Sequence, residues 1–272
     1  MNDVYRIDFP GAPYVLRVQG QGKWWLKGEP DLRFELDLLT HLHVHGVPVS
    51  HPVARSNGDF LGRTQLEGAE RFYSLFTWAT GVPGGDDMSS EQAYEVGRVI
   101  AEIHVCSDLF RTALPRYELG EETLLDRPLR VMEPALQRSD PGLVTFIRTE
   151  IERVRERMRS FDPGPDGWGV VHGDPQDLNY HVSPEGKPTV FDFDMCGYGW
   201  RAYDLAYYYT RIAHPFRQSA LDGYESVRRV SAAEGEMLTT FGQAAWVKER
   251  TMMGTGLDPR DLAKYLEDPY EW

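Results

Sequence analysis

The chain has 272 residues, 41% of them apolar and 26% charged, and 29 Lys or Arg stand against 42 Asp or Glu for a formal net charge of −13. This is the composition of a globular protein that can bury a core in one large domain or two lobes. The acidic balance, with no long run of Lys or Arg, argues against a nucleic-acid partner, and no apolar run approaches the roughly 18 residues of a membrane span.

Val4–Phe9 alternates and Tyr14–Val18 is β-branched and aromatic, with Pro10-Gly11-Ala12-Pro13 between them, so a β-hairpin is expected. Pro30-Asp31 precedes Leu32, Leu36, Leu39 and His43 at helical spacing, and Gly46 and Pro48 end that helix. Residues 52–55 and 71–76 read as strands around Asn57-Gly58. After the glycine-rich stretch at 81–85 the pattern changes. Ser89 and Gln92 form a capping box ahead of Ala93, Val96, Gly97, Ile100, Ile103 and His104 on one face, and Leu143, Ile147, Ile151, Val154 and Met158 mark a further helix. Strand signals return at 168–172 and 189–192, and the remainder reads as helical. The fold class expected is therefore α+β: a small strand-rich lobe at 1–78, then a larger mainly helical lobe at 79–272. The first holds 8 basic and 9 acidic residues and the second 21 and 33, so nearly all the excess acid lies in the second.

The most informative stretch is His172-Gly-Asp174-Pro-Gln-Asp-Leu-Asn179, followed after thirteen residues by Asp192-Phe-Asp194. The strand ending at Val171 and the strand ending at Phe191 can form a ribbon that points Asp174, Asn179 and Asp192 into one cleft. Phosphoryl transfer needs this set: a carboxylate to orient and deprotonate a hydroxyl, and oxygen ligands to hold Mg²⁺ on nucleotide phosphates. Asp, four residues, Asn, and a downstream Asp-Phe is also the spacing of a kinase catalytic loop and metal loop.

His-Gly-Asp, the Phe-Asp-Phe-Asp strand and Gly197-Tyr-Gly-Trp-Arg201-Ala-Tyr-Asp204 resemble the aminoglycoside phosphotransferase and choline kinase family, nearest its homoserine-kinase-like and stress-response-kinase-like branch. The resemblance implies a two-lobed protein-kinase-like fold and an ATP- and Mg²⁺-dependent phosphotransferase acting on a hydroxyl of a small molecule. Asp174 would be the base, His172 a buttress of the catalytic loop, Asn179 and Asp192 the Mg²⁺ ligands, and Asp204 a structural acid fixing the metal loop and the following helix. Asp194 would assist the metal or cap its loop. Arg17 stands where the family carries a nucleotide-binding lysine, with Glu35 as its partner, and Phe76, Thr77 and Trp78 lie where the hinge binds adenine. Relatives have a further strand and nucleotide loop before Asn2, so weaker nucleotide affinity is expected. Rival readings are a peptide or protein Ser/Thr kinase, a nucleotide-binding pseudokinase, and a phosphatase using Asp192 as nucleophile, which the position of that motif late in the chain disfavours.

Tyr203, Tyr207, Tyr208 and Tyr209, on an acid-rich lobe, suggest an acceptor pocket for a cation. Of His41, His43 and His45, only His41 and His45 share a helix face, and solvated imidazoles at a helix end are the simpler reading. Gly20-Gln21-Gly22 is a loop, and Trp24-Trp25 is assigned to packing between lobes. Cys106 and Cys196 are too few for a disulfide framework or a four-thiolate zinc site, and a reducing, cytoplasmic setting is expected.

Overall fold

In the computed structural model the opening residues form the expected hairpin: β1 (Asp3–Phe9) and β2 (Ala12–Val18) pair antiparallel, turning at Gly11 with φ +104°. Residues 2–85, 88–252 and 259–270 are described. Helix α1 (Glu29–Val44) starts where the Asp31 carboxylate takes the N–H groups of Lys27 and Gly28, and it stops before Gly46. Its buried stripe runs through Leu32, Leu36, Leu39 and then Leu42. His43 lies outside that stripe, stacked on His51 at 3.4 Å. Truncating one of these leucines to Ala removes packing worth about 2–5 kcal/mol. Strands β3 (Pro52–Val53), β4 (Gly62–Leu66) and β5 (Ala69–Thr77) complete an antiparallel sheet in which β5 pairs with β2, β3 and β4.

The chain then passes through β6 (Val82–Pro83) into α2 (Ser90–Ser107), whose Ser89 and Gln92 form the expected reciprocal cap. The short β7 (Glu118–Leu119) leads to α3 (Arg127–Ser139), which the periodicity did not reveal, and to α4 (Pro141–Ser160) with Ile147, Ile151, Val154 and Met158 buried. Next come β8 (Trp168–Val171), β9 (Tyr180–Val182), β10 (Pro188–Val190) and β11 (Gly197–Trp200). Helices α5 (Arg201–Arg211), α6 (Arg217–Glu225), α7 (Ala232–Met252) and α8 (Pro259–Glu267) close the order. Helices α2 and α6 approach so closely that a Cβ on Gly97 would lie 2.0 Å from the Ala220 carbonyl oxygen. No described helix is long and apolar enough to cross a membrane.

The expected ribbon has a different partner. β10 pairs with β9 across a tight turn in which Ser183 and Lys187 are hydrogen-bonded, and β8 pairs instead with β11. Closing the five-residue turn 183–187 costs less chain entropy than closing the sixteen residues between β8 and β10, so the local pairing wins. β10 also reaches the first lobe: Ser50 N–H donates to Val190 O (2.9 Å) and Val190 N–H to Pro48 O (3.0 Å).

Candidate active site

β8 ends in the segment that carries the motif, and Asp204 on α5 fixes its shape. Asp204 is fully buried; its Oδ2 accepts the His172 backbone N–H (2.6 Å) and its Oδ1 the Gly173 N–H (2.9 Å). It is held in turn by His104 Nε2 (3.2 Å), whose Nδ1 meets the Tyr224 hydroxyl (2.7 Å). The acid, on the helix that follows, thus fixes the backbone at 172–173, whereas the resemblance implied the metal loop and that helix. The two loops nonetheless touch: a Cβ on Gly173 (φ +82°) would sit 2.2 Å from the Met195 carbonyl oxygen. His172 is buried and does not line the cleft. Its Nδ1 accepts the Asp174 N–H (3.2 Å), so Nε2 carries the proton and donates to Phe191 O (3.0 Å). Burial holds its pKa below the ordinary value, outweighing nearby Asp204 and Asp174, and the ring stays neutral.

Asp174, Asn179 and Asp192 all border one cleft of about 810 Å³. Asn179 Nδ2 donates to Asp174 Oδ2 (2.9 Å) and to its carbonyl oxygen (2.8 Å), and Gln176 Nε2 also reaches Oδ2 (3.0 Å). With its nitrogen committed, Asn179 has its amide oxygen left for a ligand. Asp192 is left-handed (φ 60°, ψ 57°), an uncommon conformation for a residue with a side chain, and its carboxylate is half-exposed. Desolvation in the cleft, with Asp194, Glu35 and Asp174 close by, pushes its pKa up to about 6 although Arg17 opposes this.

Arg17 on β2 enters from the opposite lobe. Its Nη2 contacts Glu35 Oε2 on α1 (2.7 Å), its Nη1 lies 3.5 Å from Asp192 Oδ1, and its guanidinium covers the Phe76 ring at 4.7 Å. Burial works against the charge, but Glu35, Asp194 and Asp192 more than offset it and raise the pKa. Phe76 and Trp78 line the cleft. Thr77 does not, because strand alternation turns it outward: its N–H and carbonyl bond to His51 and Ser50, and its hydroxyl takes the His51 N–H.

The family model of the phosphotransferase enzyme family (APH) matches residues 1–237. The chain belongs to this family. A Deinococcus radiodurans protein is 34% identical over 257 residues, covering 90% of this chain and 73% of its own length. The homoserine kinase of Neisseria meningitidis is 25% identical over 91% of this chain and 77% of its own. Among solved structures, an amicoumacin kinase in complex with AMP-PNP, Ca²⁺ and Ami superposes with a TM-score of 0.80 at 20% identity, over 99% of this chain and 85% of its own. The fold is that two-lobed kinase-like fold.

In and around this phosphotransferase-family cleft, tertiary packing supplies partners that carry no sequence signal. Asp194 does not cap its loop: Lys23 pairs with its carboxylate, and Asn2 Nδ2 and Trp25 Nε1 each donate to it at 2.9 Å. Burial disfavours its charge, yet Arg17 and Lys23 outweigh that and lower the pKa. Trp24 meets Tyr117 (5.6 Å) and carries the Arg127 guanidinium over its ring (4.4 Å), which is packing between lobes. Buried Arg116 binds the carbonyls of Asp31 (2.9 Å), Cys196 (2.6 Å) and Asp194, tying α1 to the metal loop. At the far end of the cleft, Lys248 on α7 donates to the Gly173 carbonyl and to the Tyr203 hydroxyl (3.2 Å). Of the tyrosine cluster only Tyr207 lines the cleft, and Lys248 already lies 5.6 and 5.3 Å from the Tyr203 and Tyr207 ring centres. Tyr208 is core, its hydroxyl on Ala93 O (3.3 Å). These contacts span 41 to 192 positions, and no local pattern announces them.

Proposed function

We propose that the protein is an ATP-dependent O-phosphotransferase that moves the γ-phosphate to a hydroxyl of a small molecule, with 1–78 as nucleotide-binding lobe and 79–272 as catalytic lobe. The observation that supports this most is the convergence of Asp174, Asn179 and Asp192 on one cleft facing Arg17. Arg17, held by Glu35, binds phosphate oxygens, and Phe76 and Trp78 provide apolar walls for the base. Asp174 takes the proton of the acceptor hydroxyl on the oxygen not bonded to Asn179 and Gln176. Asn179 and Gln176 orient that carboxylate, and His172 is a positioning residue that keeps the two loops in register.

Mg²⁺ is a hard cation that takes oxygen ligands, and the Asn179 amide oxygen with the Asp192 carboxylate forms such a set. Asp192, desolvated in the cleft and crowded by Asp194, Glu35 and Asp174, is a carboxylate whose charge a divalent ion would stabilise. When bound, the ion neutralises charge on the nucleotide phosphates.

The acids around the cleft and in the second lobe favour an amine-bearing acceptor. A screen of hydroxylated metabolites coupled to ADP release tests the whole reading. We expect turnover with at least one acceptor, concentrated among amines, and a loss of about a thousandfold or more in Asp174→Asn with nucleotide binding retained. Full activity of Asp174→Asn would sink the mechanism, and turnover only of anionic acceptors would remove the amine preference.

A further inference from the structure

His41 in the last turn of α1 and His45 at its C-cap lie beside each other, and Cys106 in the last turn of α2 is close to both. One ligand atom from each residue lies within 4.8 Å of the others. We infer that these three side chains form a second metal site, selective for a borderline-soft divalent cation such as Zn²⁺, that staples the C-terminal ends of α1 and α2 together.

Both imidazoles are already set as ligands. A carbonyl oxygen can only accept, so His41 Nε2, 3.0 Å from Cys106 O, and His45 Nδ1, 2.8 Å from His41 O, each carry a proton. That leaves a lone pair on His41 Nδ1 and on His45 Nε2, and a hydrogen bond from the other ring nitrogen to a carbonyl is the usual support of a metal-bound histidine. The ligand atoms lie within 4.8 Å of one another, and zinc bonds of about 2.0–2.3 Å require donors roughly 3.3–3.7 Å apart, so side-chain rotations that draw them together by about an ångström close the set. His45 is exposed, which leaves the fourth position to water, while Cys106 is buried. Both helices point their partially negative C-terminal ends at the site, favouring a cation. Two nitrogens and a thiolate suit Zn²⁺ or Co²⁺ and not Mg²⁺, so the site is chemically distinct from Asn179 and Asp192. Binding releases the thiol proton of Cys106 to solvent.

The position has a consequence for the cleft. α1 carries Glu35, which holds Arg17, and α2 carries His104, which holds Asp204. An ion joining the two helices therefore braces the phosphate-binding arginine and the catalytic loop against each other.

The test is a Co²⁺ titration of the full chain with Mg²⁺ in excess, followed by absorption. One equivalent should produce a thiolate-to-cobalt charge-transfer band with tetrahedral ligand-field bands, removed by Zn²⁺ and absent in Cys106→Ser. His45→Ala removes only an exposed ring, so it keeps the fold and should weaken binding by at least about tenfold. Equal metal-free melting temperatures for the variants and the parent show that the fold is retained. No charge-transfer band in the parent, or a band that survives both substitutions, overturns the inference.

Discussion

The buried carboxylate of Asp204 receives the backbone N–H of His172 at 2.6 Å, so the start of the catalytic loop is held from the following helix. Removing that acceptor strands two buried N–H groups and the His104 imidazole. Asp204→Ala should therefore lower unfolding stability by about 3–5 kcal/mol, read from urea midpoints. A loss under about 1 kcal/mol would contradict the assigned role.

Desolvation in the cleft, with Asp194, Glu35 and Asp174 close by, raises the pKa of Asp192 above its ordinary 3.8. Between its ordinary value and the raised one the folded state binds more protons than the unfolded chain, so this group's contribution to stability falls as pH rises above about 4 and stays lost near neutrality. Asp192→Asn should raise the metal-free melting temperature by a few degrees at pH 7.5 and change it little at pH 4. The same variant should bind Mg²⁺-nucleotide more weakly, and unchanged melting at pH 7.5 would contradict the charge crowding.

Arg17 and Glu35 form a pair that burial makes costly to break. Arg17→Ala leaves Glu35 as a buried charge without its partner and should destabilise by about 3–5 kcal/mol, while Arg17→Lys should retain most stability yet raise the ATP KM, because a point charge replaces a planar fork. Calorimetry and initial rates separate the two effects. Wild-type KM in Arg17→Lys would remove Arg17 from phosphate binding.

Lys248 is buried and joined to the loop that carries Asp174 through the Gly173 carbonyl. Lys248→Met should reduce kcat by about ten- to a hundredfold with little change in ATP KM, since the nucleotide side of the cleft is untouched. A matching rise in ATP KM would instead indicate a general loosening of the fold.

The helices with strong apolar periodicity, the Ser89 cap, the opening hairpin and the spacing of Asp174, Asn179 and Asp192 were all readable along the chain, because each depends on neighbours a few residues apart or on a short loop. The ordering of strands was not: β8 pairs with β11, a strand of only four residues, Gly197–Trp200, two of them glycines that weaken any strand signal. The site was legible as residue types but not as an assembly. That Asp204 serves the catalytic loop, that Lys23 and Trp25 converge on Asp194, and that Cys106 joins His41 and His45 follow only from packing. The chain by itself determined which groups are available, through local hydrogen bonding and hydrophobic period. Which of them share a low-dielectric space, and hence which are shifted, paired or aimed at the cleft, was decided by tertiary contacts across tens to hundreds of residues, for which no local energy term leaves a mark in sequence.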